Sequence, residues 1–371
     1  MSQIKHTKEV EITLHAPAIL KEHEITLHPE VGFVGGDGTA EDPLRIANWY
    51  GLNRLRDFVG QEYSDKHFIL VDDINHSSPG YHAVASPEAN EGKGWEPVGS
   101  FEERFGGYFH GNKKHIMGLY INRKDLEHPA SVGMFDEVDH GAVFEDFALA
   151  QMDVTGPDKG PADPDVEYTL EVGGLIGVAR DCTIRRVSVH GRVEGNEDVG
   201  GMIGRVWHTD FWIEDCSAFV DVVGEYTDIA GIGGMIGRLG QGGEGKRIYS
   251  VGEVVGEGNV GGIIGQRWAG EHIKDSVWDR QTSDRERSSA GGTALSTEVM
   301  KDIETYEQRV WDIARVEDWD GETWHIFNGL SYPMLGEPGD VPDDLPETTL
   351  TVTCDEDMTD STTEEIEPTR V

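Results

Sequence analysis

Val172-Gly173-Gly174-Leu175-Ile176-Gly177 returns as Val199-Gly200-Gly201-Met202-Ile203-Gly204, Ile232-Gly233-Gly234-Met235-Ile236-Gly237 and Val260-Gly261-Gly262-Ile263-Ile264-Gly265. The copies stand 27, 33 and 28 residues apart. A degenerate copy, Val132-Gly133-Met134-Phe135, precedes them, with Asp136 in place of the closing glycine. Read as one strand, the period of two puts Val172, Gly174 and Ile176 on one face, and the other copies repeat that column of β-branched residue, Gly and Ile. The glycines remove side chains where another backbone approaches.

A second strand follows in each unit. Gly191-x-Val193-x-Gly195, Val220-x-Val222-x-Gly224 and Gly252-x-Val254-x-Gly256 are its ends. Upstream, Val187/Val189, Cys216/Ala218 and Ile248/Ser250 read as inward positions, so Cys216 is expected to be a buried, inert thiol. A unit this short cannot bury its own face, but stacked copies can. The architecture expected is all-β, a right-handed parallel β-helix. Five coils, at about 4.8 Å each, give a rod segment of roughly 20–25 Å. The rival, a flat sandwich, needs hairpin turns every 8–12 residues or so, and the register-keeping repeats lack them.

The repeat explains the 48 glycines in 371 residues. The charge needs another reason. Seventy acids against 31 Lys and Arg give a formal net charge of -39. That excludes nucleic-acid binding through a basic face and argues against docking on an anionic membrane. Such self-repulsion suits concentrated salt, where screening shortens to about 3 Å at 1 M. Cys182, Cys216 and Cys354 are too scattered for a disulfide framework or a zinc site. Met1–Lys8 has no apolar signal region and no long apolar run exists, so synthesis in the cytoplasm without export signal or membrane insertion is expected.

The flanks divide the chain further. Residues 1–34 carry a duplication, Glu11-Ile12-Thr13-Leu14-His15 and Glu24-Ile25-Thr26-Leu27-His28, that reads as a β-arm or attachment segment. Residues 35–131 are entry coils, with Leu52, Leu55 and Val59 marking a capping helix within Ala47–Val59. The repeats occupy 132–277 and a C-terminal capping segment 278–336. Residues 337–371, with twelve acids and one base, Arg370, read as an acidic tail.

Together these stretches resemble the GLUG-motif, filamentous-haemagglutinin-type adhesin-like β-helix proteins. The resemblance covers about residues 35–336. It rests on the four repeats, on Gly36-Asp37-Gly38-Thr39 with Asp42-Pro43, on Phe68-Ile69-Leu70, and on Trp95-Glu96-Pro97-Val98-Gly99. Phe105-x-Gly107-x-Phe109-x-Gly111-Asn112, Trp278-Asp279, Ser289-Ala290-Gly291-Gly292-Thr293, Trp311-Asp312-Ile313, Trp324 and Ser331-Tyr332-Pro333 complete it. His110 stands where the family usually has Asp. The resemblance implies a scaffold or adhesive stalk.

Candidate chemistry is sparse. Asp136, Glu137 and Asp139 cluster on what reads as a turn, with Glu145 and Asp146 near, a pattern glycan-cleaving β-helices use. Asp318-Trp319-Asp320-Gly321-Glu322 starts like a calcium loop, but position 12 is Gly329 rather than an acid. His110, His115, His128 and His140 have no metal-ligand spacing and are expected on a solvated surface. Trp207 and Trp212 are placed in a loop between coils, where an exposed Trp could stack on sugars, while Trp212, at strand spacing from core positions, could instead be buried. No catalytic, cofactor or metal residue is assigned.

The expectation is therefore a non-enzymatic structural or adhesive protein: a virion tail fibre, spike or capsid projection of a virus of a halophilic archaeon. Its expected partners are other virion proteins, its own copies in a homo-oligomer, trimeric by preference, and a host surface glycan or glycoprotein. The alternative is a glycan-binding or glycan-cleaving cell-surface β-helix.

Overall fold

The computed structural model describes residues 32–125, 131–157, 170–207, 210–225, 230–240, 242–268 and 273–337. All lie in one unit, Gly32–Val371. The expected arm up to Val31, His128, Cys354 and the tail beyond Glu337 lie outside the described residues.

The repeats form a parallel β-helix with three sheets. One short sheet stacks Ser131–Val132, Glu171–Gly173, Asp198–Gly200, Gly231–Gly233 and Asn259–Gly261. A second stacks Phe135–Val138, Ile176–Ala179, Ile203–Val206, Ile236–Leu239 and Ile264–Arg267. The third is a long sheet whose central strands, Ala142–Thr155, Cys182–Gly195 and Phe211–Gly224, each run 14 residues. Every pairing within these three sheets is parallel, from Val199↔Ile232 in the first to Cys216↔Ile248 in the long one. That pattern excludes the hairpin-built sandwich.

The Gly-Gly motif is not one strand. The first strand stops at Gly173 and the next begins at Ile176, in a different sheet. Gly174 and Leu175 form the bend between them. The two short sheets then meet with almost nothing between them. A Cβ on Gly204 would lie 2.6 Å from Val172 N, and one on Gly237 would lie 2.6 Å from Val199 N. Sheets separated by side chains sit about 10 Å apart; here glycine columns let backbone rest on backbone. The glycines at the bend stack too, since a Cβ on Gly201 would lie 2.3 Å from Gly234 O. Period-two reasoning found the close approach but missed the fold-back that causes it.

The residues expected to face inward on the long strands do so. Val187, Val189, Cys216, Ala218 and Ile248 are fully buried and Ser250 nearly so. The first five join the bend residues Leu175, Met202, Met235 and Ile263 in one continuous core.

Both ends of the short sheets are covered, which removes free edges. At one end Val98 N donates to Met134 O and Phe105 N to Glu137 O. At the other, Gly262 N donates to Arg287 O and Ser289 N to Ile264 O. The helix expected over Ala47–Val59 is shorter. It runs Trp49–Asn53, capped by the Asn48 side chain on Gly51 N, and tightens into a 3-10 turn at Arg54–Asp57. Leu52 and Leu55 are buried; Val59 falls beyond the turn.

The C-terminal segment does more than close an end. Its strand Gly291–Leu295 extends the long sheet. The rest lies on that sheet's outer face and builds a second core from Tyr249, Val277, Met300, Ile303, Tyr306, Trp311 and Trp324. Tyr332 Oη donates to Asp279 Oδ2 at 2.6 Å, and the indole N–H of Trp311 to Asp275 O at 2.7 Å.

Candidate functional site

The long strands turn a corner at one residue each, and these corners carry charge. Asp146, Arg186, Asp215, Arg247 and Asp275 all have φ between 49° and 61°, in the left-handed region that non-glycine residues seldom enter. Registers align them, with Lys113, into one column. The signs alternate at every step: plus, minus, plus, minus, plus, minus. Arg186 grips Asp146 through Nε at 2.6 Å and Nη2 at 2.8 Å, and Arg247 grips Asp215 at 2.7 and 2.6 Å. Such two-pronged pairs are the strong form of the ion pair. The preceding residues Glu145, Arg185, Glu214 and Lys246 alternate likewise until Lys246 faces Lys274, and Glu145 is held at 2.7 Å by His110 and 2.8 Å by Arg185. The hydrogen bond from His110, then Arg185, holds the Glu145 carboxyl down at about 2. Trp324 donates to Asp215 at 3.0 Å, anchoring the second core on this ladder.

The two carboxylate groups singled out in the sequence therefore separate. Glu145 and Asp146 belong to the ladder. Asp136 and Glu137 sit on a strand, not a turn, in the second short sheet, with Asp139 just beyond it. Glu137 accepts from Arg104 at 2.9 Å and Arg180 at 3.2 Å. Asp136 bonds Ser131, and burial pushes its carboxyl up to about 7. Glu137 and Asp139 are tied to arginine, an arrangement that organises structure, while Asp136 is held by Ser131 instead.

One histidine differs from expectation. His110 is half-buried in a stack, 3.1 Å from His67 across ring nitrogens, because Tyr108, His67 and His110 lie ring on ring. His115 N donates to Asp73 at 2.8 Å, and His140 N to Asp139 at 2.8 Å. Among the described residues no group of three or more His, Cys, Asp or Glu is arranged to hold a metal. In the calcium-like stretch, the Glu322 carboxylate turns back onto Asp320 N at 2.8 Å instead of meeting Asp318. Cys182 and Cys216 are free and buried, and burial pushes both thiols well up.

The aromatic site has a different composition from the one the sequence suggested. Trp212 lies within a long strand, its ring 5.5 Å from Lys246 Nζ. Trp207 instead meets Trp268, which sequence reasoning passed over. Their rings stand 6.2 Å apart at 81° and are 37% and 54% exposed. The signal was present: Trp207 ends Ile203-Gly-Arg-Val-Trp and Trp268 ends Ile264-Gly-Gln-Arg-Trp, the same place in two copies. The Arg205 guanidinium lies 3.6 Å from the Trp207 ring centre. Glu171, at 3.3 Å, and Asp198, at 3.9 Å, fix that arginine in turn. Gly240 occupies the intervening coil, where a Cβ would come 2.5 Å from Val206 O.

No family model matches the chain. It is 27% identical over 197 residues to a "Putative Gly-rich membrane protein" of Evansella cellulosilytica, covering 47% of this chain and 21% of that one. It is 32% identical over 175 residues to Halomucin of Haloquadratum walsbyi, covering 46% of this chain and 2% of Halomucin. The chain thus spans only a small part of either relative. Among solved structures it is similar to a "putative immunoglobulin A1 protease" of Bacteroides ovatus, with a TM-score of 0.50, 17% identity, and coverage of 83% of this chain and 97% of that one. That likeness speaks to fold alone: the chain is a parallel β-helix, similar in part to a Gly-rich membrane protein and to a protein of a halophilic archaeon.

Proposed function

We propose that this chain is a non-enzymatic structural or adhesive surface rod. One observation carries the reading: most of the clustered carboxylates are tied to arginine, in the corner pairs and around Glu137, while two indoles stand outward. The sequence similarity to Halomucin and to a Gly-rich membrane protein supports a surface setting. Within that setting a virion projection and a cell-surface component are the two placements. The similarity to a named membrane protein supports the cell-surface placement, and the charge of -39 suits salt-rich surroundings.

Surface labelling of intact cells, with mass spectrometry of purified virus particles alongside, tests the reading. Recovery from the labelled surface or from particles is expected, and either result assigns the placement. Recovery from the cytosol alone refutes a surface role. Glycan turnover that disappears in Asp136→Ala or Glu137→Ala would refute the non-enzymatic part.

A further inference from the structure

Nine tryptophans occur in the chain. Six donate their indole N–H to an oxygen: Trp49 to Asn75, Trp95 to Met134, Trp278 to Arg285, Trp311 to Asp275, Trp319 to Glu322 and Trp324 to Asp215. Among the described residues, the indole N–H groups of Trp207, Trp212 and Trp268 make no such bond. An indole N–H is a donor only, and buried ones find acceptors. Two of these three touch each other, although 61 positions separate them in sequence. Their coils are two steps apart, about 10 Å along the rod.

Neither ring serves the core, since neither belongs to the buried clusters. Both are nevertheless held in place. Each sits just after a short-sheet strand, with Trp207 N donating to Ala179 O at 2.9 Å and Trp268 N to Leu239 O at 3.2 Å. Arg205, itself locked by two buried carboxylates, backs Trp207. Gly240 leaves the coil between them without a side chain.

The occupant's chemistry follows from charge and solvent. A chain at -39 disfavours anionic ligands, and the arginines beside the rings, Arg180 and Arg205, are already paired with Glu137 and with Glu171 and Asp198. In molar salt, where screening acts within about 3 Å, charge recognition is weak and contact between apolar faces persists. Trp207 and Trp268, 37% and 54% exposed, stand edge to face beside the second short sheet, a pair that a polymer can lie across. A pyranose ring offers an apolar C–H face to an indole and hydroxyls to its N–H.

We propose that Trp207 and Trp268 form a binding platform for an uncharged pyranose polymer. This rests on the surface reading and names the ligand class it would engage. Binding of the full chain to an array of neutral mannose-, glucose- and galactose-based oligosaccharides, with sulfated and uronate-bearing members included, tests it in about 2 M KCl. At least one neutral series should bind, Trp268→Ala should weaken it by about tenfold or more, and Trp268→Phe should retain most of it. Trp207→Ala should act in the same direction, with circular dichroism confirming the fold. Binding to acidic members alone, binding indifferent to both alanine variants, or no binding overturns the platform. So does a change in sedimentation with Trp268→Ala in place of a change in sugar binding, which would make the pair a contact between copies. A protein found on the surface that fails the array loses this inference and keeps the surface role.

Discussion

Replacing Gly200 by alanine should damage this protein far more than one methyl group suggests. The new Cβ would stand 2.1 Å from Ile203 O, 2.6 Å from Gly237 N and 2.8 Å from Met235 O. All three are backbone atoms of the facing short sheet or its bend, so no side chain can swing aside. Relief to ordinary contact near 3.5 Å requires the two sheets to part by roughly 1 Å. Overpacking alone costs about 1–3 kcal/mol. Parting the sheets also strains the hydrogen bonds Gly201 N to Gly233 O and Met202 N to Met235 O, each worth about 1 kcal/mol. The stiffer unfolded chain offsets about 0.4–1 kcal/mol. The expected loss is about 3 kcal/mol. Gly106→Ala is the control. Its Cβ would meet His140 Cβ at 3.1 Å and Ser64 Cβ at 3.2 Å, so it should cost about 1 kcal/mol or less. Urea unfolding in concentrated KCl, followed by tryptophan fluorescence, measures both. A Gly200→Ala protein within about 1 kcal/mol of the parent, with an unchanged denaturant slope, would refute backbone-on-backbone packing.

Arg247→Met should cost about 2–3 kcal/mol, toward the low end for breaking a buried pair because the arginine is one-fifth exposed. Adding Asp215→Asn should recover part of that, and a double-mutant cycle that shows no coupling would contradict the ladder. For Asp136 the folded carboxyl titrates at about 7, against 3.8 when free. The folded state therefore holds a proton that the unfolded state has lost between those values. This contribution is full below pH 4 or so and is lost as pH rises through 7. Asp136→Asn should then add about 2–4 kcal/mol at pH 8 and change little near pH 3.5; equal effects at both would refute the assignment. Circular dichroism should show unfolding as KCl falls from molar to about 0.1 M, where screening lengthens to about 10 Å. A fold indifferent to that change would contradict adaptation to salt.

The architecture was legible because glycine has one interpretation when it recurs in register: another backbone is near. The fold-back was not, because Val172 to Ile176 satisfies a strand's period whether or not the chain bends at Gly174. Local pattern does not report which sheet a residue joins. The ladder was written in the sequence as acidic and basic doublets, Glu145-Asp146, Arg185-Arg186, Glu214-Asp215 and Lys246-Arg247, at the repeat spacing. Among 70 acids those doublets looked like background, and only register shows that they face one another. Trp268 was hidden for a similar reason: its partner lies two coils away, and Gly240 interrupts the series. His110 departed from its expected surface setting because cross-strand neighbours, His67 and Glu145, come from distant segments.

The corner column also makes the rod count in twos. Each coil reverses the sign of the one before it, from Lys113 to Asp275. Deleting the coil that carries Asp215 would set Arg186 directly against Arg247, two cations in adjacent left-handed corners. Deleting the Asp215 and Arg247 coils together would return Arg186 to an acidic neighbour, Asp275. Length in this column is therefore a matter of parity. An odd change of coil number is penalised, whereas an even one passes unnoticed by the charges.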